Sequence, residues 1–285
     1  HQLCSCFDLI NKMSNKKVIV VVPARMASSR YPGKPLAKIL GLPMIEHVRR
    51  RALLAEGVDE VVVATCDQEI LQAVEAAGGK AVMTGDHHER STERVAEAML
   101  ALHGDVVVVA QGDEPLLLPE DLELVAAPFQ LRNDLESVSL LSPLEGEADF
   151  TNSSIVKAAC DQSGHIMFYS RAPIPYVQKK GPCPIYRETG IRAFSADFLQ
   201  TYVNLPETPF ELVESVDMMR LLEHGHRVLG VPTDGVTFGV DHAEEAKKIV
   251  EIITTDPVQK ALYEKIAEMW VLMHWILLVR VIRST

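Results

Sequence analysis

Val18–Pro35 reads VIVVVPARMASSRYPGKP. Five apolar β-formers run straight into a loop that carries Arg25, Arg30 and Lys34, with Ser28, Ser29 and Gly33 between them. A buried strand that empties into a small, basic loop is suited to a polyphosphate. Backbone N–H groups and hydroxyls reach the oxygens there, and the cations neutralise them. The spacing is neither the Walker pattern (Gly, four residues, Gly-Lys-Ser/Thr) nor GxGxxG, which disfavours a P-loop ATPase and a dinucleotide fold. On charge pattern alone, a solvated strand-to-helix loop fits equally well.

Outward from this stretch, the first half alternates strand and helix patterns. Glu60–Ala64 (EVVVA) and Asp105–Ala110 (DVVVVA) are continuous apolar strands, and Ala81–Met83 is a short one. Pro43–Glu56, Gln68–Ala77 and Ser91–His103 read as helices, the last opening on a Ser91-Thr92-Glu93-Arg94 capping box. Apolar strands between amphipathic helices predict a parallel sheet covered on both faces. In such sheets ligands bind beyond the carboxyl ends of the strands. The loop after Val22 and the acidic turn after Ala110 both fall there. The second half is mixed. Strands are expected at Ser137–Leu141, Ile155–Ala159, Gly164–Ser170, Gly190–Phe194 and Val228–Val231, with Gly239–Asp241 finishing the sheet. Helices are expected at Ala196–Asn204, Glu211–His224 and His242–Thr255, and a Pro- and Gly-containing loop over Arg171–Pro184.

A chain of 285 residues, 47% hydrophobic and 24% charged, can bury a sizeable core in one large domain or two small ones. A net charge of −11 disfavours a general nucleic-acid binder but leaves room for a local basic pocket. Cys4, Cys6, Cys66, Cys160 and Cys183 are odd in number and form no CxxC pair. That suggests neither a zinc site nor a disulfide framework, and a reducing, cytoplasmic setting. Residues 1–13, ahead of and including Met13, are expected to be a non-native or disordered leader. Met269–Ile282 (MWVLMHWILLVRVI) is apolar, but its 14 residues, interrupted by His274 and Arg280, fall short of the roughly 20 of a membrane span. A C-terminal helix or tail over 256–285 is expected instead, as a docking helix, an oligomer contact or a non-native tail.

Several short constellations carry chemistry. Gln111-Gly112-Asp113-Glu114-Pro115 puts a carboxylate at a strand end opposite the basic loop. Mg²⁺–nucleotide chemistry needs that arrangement, because Mg²⁺ takes one or two carboxylates plus substrate phosphates. A plain Gly-Asp turn is the alternative. Gly239-Val240-Asp241 offers a second carboxylate, unless Asp241 only N-caps the helix that follows. Arg90-Ser91-Thr92-Glu93-Arg94 either caps a helix or faces a base or ribose. Tyr169-Ser170-Arg171 delivers an arginine suited to a carboxylate contact or to a surface ion pair. Glu211, Glu214 and Asp217, three apart, line one helix face, as a solvated acidic stripe or as a wall of a polyol pocket.

Together, PARxxSxRxPGKPL, IxHVxxRA, VVATxDxxI, AVEAAGGxxVMT, STER, QGDEP, FYSRAxIP and GVD occur in that order. The set resembles the CMP-sugar-acid synthetases, most closely the 3-deoxy-manno-octulosonate (Kdo) cytidylyltransferases, over about Val18 to Ile253. The resemblance implies a doubly wound, mostly parallel α/β domain over 14–255, of the nucleotide-diphospho-sugar transferase type. An acceptor and dimerisation region of mixed α+β structure is inserted near 137–235. It implies a homodimer that joins CTP to a sugar acid and releases pyrophosphate. Arg25, Arg30 and Lys34 match the triphosphate loop, with Pro23, Ala24 and Ser28 counted in it. Arg90, Thr92 and Gln111 match positions around the cytidine, and Asp113 and Asp241 match the magnesium carboxylates. Lys34, Asp113 and Asp241 are the implied catalytic set. Arg171 and Glu211 match the sugar-acid site, to which Tyr169, Arg192 and Glu214 are added.

Two departures stand out. The family's SGTER is Arg90-Ser91-Thr92-Glu93-Arg94 here, without the glycine. Its HLGIYGYR segment is Glu188-Thr189-Gly190-Ile191-Arg192-Ala193-Phe194-Ser195. A His becomes Glu188, and two tyrosines become Arg192 and Phe194. Neutral hydroxyl-binding groups are thereby exchanged for an ion-pairing guanidinium. The expected activity is Mg²⁺-dependent cytidylyl transfer from CTP to an acidic, Kdo-like sugar. The alternatives are another ulosonic acid or a small phosphonate as acceptor, a UTP-type nucleotide-sugar pyrophosphorylase, or an inactive binding protein of the same fold. No nucleic-acid polymer and no membrane span are expected.

Overall fold

The computed structural model describes residues 15–27, 30–144, 146–179, 181, 184–235 and 238–269. The expected leader, Ser28, Ser29, Cys183 and the tail from 270 lie outside them. In chain order the strands are β1 (Val18–Ala24), β2 (Lys38–Ile39), β3 (Leu42–Pro43), β4 (Glu60–Thr65), β5 (Lys80–Met83), β6 (Val106–Val109), β7 (Ser137–Pro143), β8 (Lys157–Cys160), β9 (Ile166–Ser170), β10 (Tyr186–Ser195) and β11 (Val228–Pro232). The helices are α1 (Met44–Ala52), α2 (Gln68–Ala76), α3 (Ser91–Met99), α4 (Pro119–Leu131), α5 (Glu147–Thr151), α6 (Ala196–Val203), α7 (Pro209–Glu214), α8 (Met219–Glu223), α9 (Glu245–Thr255) and α10 (257–269).

The chain falls into two compact units. The first comprises the described residues of Val20–Leu102, Val109–Glu120 and Thr237–Thr285. Its strands run in the order β1-β4-β5, and β4 pairs in parallel with β5, Val62 opposite Lys80 and Thr65 opposite Met83. Every residue of β1 is buried, as an apolar strand needs when both sheet faces are covered. Helix α1 is buried along its whole length, including its charges. Glu46 sits between Arg49 and Arg50 at 2.7 Å from each. Arg50 and Arg51 also donate to the carbonyls of Ile266 and Leu117. The arginines therefore tie α10 and the segment after Asp113 to this helix.

The second unit comprises the described residues of His1–Ile19, His103–Val108 and Asp121–Val236. Its strands run β11-β7-β10-β6, with β8 on β10 and β9 on β8. β11 is parallel to β7, and β10 is antiparallel to both β7 and β8. The β7–β10 register slips between Glu188 and Arg192, where Gly190 takes φ 87°. Four residues of regular strand span about 13 Å. The slip shortens that path, and Arg192 reaches Glu188 at 2.8 Å.

The structure corrects several expectations. The Glu211–His224 helix is two short helices, α7 and α8, separated where Ser215 turns left-handed at φ 53°. An unbroken helix would stack three carboxylates on one face; the break gives each its own partner. Gly239–Asp241 is not a strand. The expected capping box at Ser91 is absent: Arg90 is the N-cap residue of α3 and its side chain makes no capping bond. Asp241 does not cap α9. The Glu245 carboxylate instead accepts from the Asp241 and His242 N–H groups, at 2.6 and 2.9 Å. Helix α4, with Pro128 inside it, lacks a strong apolar period and was not foreseen.

Candidate active site

Four segments of the first unit meet around a cavity of about 660 Å³. The end of β1 contributes Pro23 and Ala24, followed by Arg25, Arg30 and Lys34. The loop into α3 contributes His88, Glu89 and Arg90, and α3 itself Ser91 and Arg94. The turn after β6 supplies Gln111, Gly112 and Asp113, and the segment before α9 supplies Asp241.

Local conformation explains how these residues arrive. Gly33 takes φ 73°, and its N–H bonds the Met26 carbonyl at 3.1 Å. That left-handed residue turns the loop back, so that Lys34 begins a short 3₁₀ turn. Lys34 Nζ donates to Asp113 Oδ2 at 2.6 Å and to the Val240 carbonyl at 2.8 Å. Gly112 permits a close approach, since a Cβ there would stand 2.7 Å from the Pro23 carbonyl oxygen. Val240 is held from both sides. Its side chain belongs to a core with Ile39, Met44, Leu116, Ile249 and Ile253, and its N–H donates to the Asp113 carbonyl at 2.9 Å. Asp241 is thereby set beside the Asp113 turn without a strand, and its carboxylate pairs with Arg30 at 3.0 Å.

The cavity gathers Pro23, Ala24, Arg25, Arg30, Lys34, Arg90, Gln111, Asp113 and Asp241 from the expected set. Ser28 lies outside the described residues. Thr92, the second residue of α3, is buried and is not on the cavity wall. Sequence reasoning missed His88, Glu89 and Arg94 as wall residues. Arg94 belonged to the STER motif but read as part of a cap; it is buried, and donates to Thr84 Oγ1 at 2.6 Å and to the Gly85 carbonyl at 3.0 Å. The donor set fits a hard cation. Asp113 and Asp241 both offer carboxylate oxygens, and their side chains are 37% and 48% exposed, which leaves lone pairs open to the cavity.

The expected acceptor residues belong to the second unit and form two buried ion-paired groups and one hydrogen-bonded group. Arg192 is buried between Asp217 at 2.7 Å and Glu188 at 2.8 Å. Burial alone would lower its pKa; the two carboxylates outweigh that and raise it. Glu211 is fully buried against Arg220, at 2.6 and 2.7 Å. Glu214 accepts from the Ser170 hydroxyl and the Arg171 N–H at 2.7 and 2.8 Å. The Arg171 guanidinium donates to the carbonyls of Ser153, Ser154, Glu214 and Ser215. Tyr169 is buried, donates to Ser139 Oγ at 3.0 Å, and has its phenol pushed up by burial.

Comparison with known proteins identifies the family. The cytidylyltransferase family model matches residues 19–228. A 3-deoxy-manno-octulosonate cytidylyltransferase of Anaeromyxobacter sp. (strain Fw109-5) is 41% identical over 245 residues, 85% of this chain and 99% of that protein. Its counterpart in Geobacter metallireducens is 36% identical over 246 residues, 82% and 97% of the two chains. Among solved structures, a CMP:2-keto-3-deoxy-manno-octonic acid synthetase complexed with CTP superposes with a TM-score of 0.81. It is 37% identical and covers 84% of this chain and 99% of that one. A cytidylyltransferase from Leptospira borgpetersenii, at 16% identity and TM-score 0.59, shares the fold. With its α/β fold, its charged cavity at the strand ends and this likeness along most of its length, the chain belongs to the 3-deoxy-manno-octulosonate cytidylyltransferase family of nucleotidyltransferases.

Proposed function

We propose that the protein transfers the CMP group of CTP to Kdo and releases pyrophosphate. The observation that carries this reading is the convergence of Arg30, Lys34, Asp113 and Asp241 on one cavity in a chain of this family. Arg25, Arg30 and Lys34 hold the triphosphate and neutralise the charge that builds on the departing pyrophosphate. Arg90 and Gln111 flank the nucleoside, and Thr92 is a buried residue of the first turn of α3. Asp113 and Asp241 would hold Mg²⁺, which when bound supplies charge neutralisation at the phosphates and polarisation of the acceptor hydroxyl. Lys34 and Arg30 pair with the same two carboxylates and hold their orientation. The reaction is an in-line attack of the acceptor's anomeric hydroxyl on the α-phosphorus, with no covalent enzyme intermediate. The chain's contribution is position and charge.

The acceptor region is assigned to about 137–235. Arg171 is the residue best suited to the sugar carboxylate, because the partners of its guanidinium are backbone carbonyls. Tyr169, Arg192 and Glu211, all buried, frame the acceptor region from within, and Glu214 holds the Arg171 backbone N–H. The exposed apolar side chains of α7, Phe210, Leu212 and Val213, suit a contact between two copies in a homodimer. The setting is cytoplasmic, where CTP is available. The test is pyrophosphate release from CTP and Mg²⁺ against a panel of acidic acceptors. Turnover with Kdo is expected. Release with a phosphonate or with UTP, and none with CTP plus Kdo, overturns the assignment.

A further inference from the structure

The loop from β5 into α3 carries two adjacent histidines, and Glu97, further along α3, meets them. One ring nitrogen each of His87 and His88 and one carboxylate oxygen of Glu97 lie within 4.8 Å of one another. No other group of three such ligands occurs among the described residues. The carboxylate is anchored: its two oxygens accept from the Gly85 N–H at 3.1 and 3.0 Å, and His88 Nε2 is hydrogen-bonded to Oε2. The two rings stand 4.2 Å apart, tilted by 43°. Gly85 makes room for this, since a Cβ there would stand 2.4 Å from the His87 ring. Arg94 fixes the other end of the loop through Thr84 and Gly85.

A His88–Glu97 hydrogen bond is an ordinary structural pair and needs no second imidazole. The addition of His87 turns it into a two-histidine, one-carboxylate set, the donor type of zinc sites that keep an open coordination position. Imidazole nitrogens select zinc, cobalt or nickel over magnesium and calcium. Backbone anchoring of the carboxylate is the support that orients metal ligands. Bonds of about 2.0–2.1 Å put tetrahedral ligand atoms about 3.4 Å apart, so closure needs a shift of little more than about 1 Å. His87 is exposed and can supply it by side-chain rotation.

We propose that His87, His88 and Glu97 bind one borderline divalent transition-metal ion, Zn²⁺ or Co²⁺ in class, at a site separate from Asp113 and Asp241. The bound ion joins the β5–α3 loop to α3 beside the cavity, whose wall includes His88 and Glu89. The test titrates the full chain with Co²⁺ in excess Mg²⁺. One equivalent should bind with the visible d–d absorption of a four- or five-coordinate site, be displaced by Zn²⁺, and raise the melting temperature. His87→Ala and Glu97→Gln should each weaken binding by at least about tenfold. His87 is exposed, so its replacement leaves the fold intact, and circular dichroism checks this. Absence of Co²⁺ and Zn²⁺ binding in excess Mg²⁺ overturns the proposal. So does unchanged affinity in both variants, which would place the ion on other groups.

Discussion

Arg30–Asp241 and Lys34–Asp113 in the cavity, and Arg192–Asp217 and Arg220–Glu211 in the second unit, are ion pairs of one chemistry and similar length, 2.6 to 3.0 Å. Their surroundings differ. The cavity pairs keep 59% and 48%, and 12% and 37%, of their side chains exposed. The others keep 8% and 11%, and 4% and 0%. An exposed pair gains little from its attraction and gives up a partner readily to a charged ligand. A buried pair cannot, because the remaining charge would stand unsolvated in a low-dielectric interior. Burial therefore commits the second-unit pairs to the fold, whereas Arg30, Asp113 and Asp241 stay open to a ligand; Lys34, at 12%, is nearly as covered as Asp217.

That contrast can be broken in graded steps. Asp113→Ala should cut pyrophosphate release at least about 10³-fold, about 4 kcal/mol of transition-state stabilisation, with little change in melting temperature. A variant that keeps wild-type turnover removes Asp113 from the chemistry. Glu211→Ala should do the reverse. It strands Arg220 and should lower stability by about 3–5 kcal/mol in a urea midpoint, while CTP affinity, read by calorimetry, stays put. An unshifted midpoint would mean that the pair is not holding the fold.

A buried base in the first unit tests the same principle by pH. His47 Nε2–H donates to the Ile39 carbonyl at 2.9 Å, and burial lowers its pKa to about 4. The unfolded histidine takes up a proton below about 6.5, the folded one only below about 4. Stability is thus fully present above about pH 6.5 and lost as pH falls toward 4, by on the order of 3 kcal/mol. His47→Gln should flatten that part of the urea-midpoint profile; an equally steep profile in the variant would assign the slope to other groups. Lys34→Ala should slow turnover at least tenfold, about 1.4 kcal/mol. The smallest effect is expected for Arg30→Ala, which should alter stability by less than about 1 kcal/mol in thermal unfolding. A larger loss would show that this exposed pair holds structure after all.

Strands β1, β4 and β6 were legible because an all-apolar run admits few alternatives. The basic loop and the Gln111-Gly112-Asp113 turn were legible as motifs, and the structure puts them on one cavity wall. Gly239–Asp241 misled, because its apolar run is a core anchor and not a strand: Val240 packs among Ile39, Met44 and Leu116. The Glu211–His224 periodicity misled because helical spacing says nothing about which cations wait nearby. Arg192 was read as an ion-pairing guanidinium of the sugar-acid site, and its two carboxylate partners come from residues 4 and 25 positions away in the chain. The triple arginine of α1 is sealed inside by Glu46 and by the carbonyls of Ala77, Ile266 and Leu117, partners that helical spacing does not reveal.

By itself the sequence determined the alternating α/β plan, the strand-end position of the basic and acidic loops, and the family. All three depend on local pattern and on ordered motifs that survive without coordinates. Only the tertiary structure decided which charges face a cavity and which are buried and matched. That decision rests on solvation, and solvation is set by what the rest of the chain packs around each side chain.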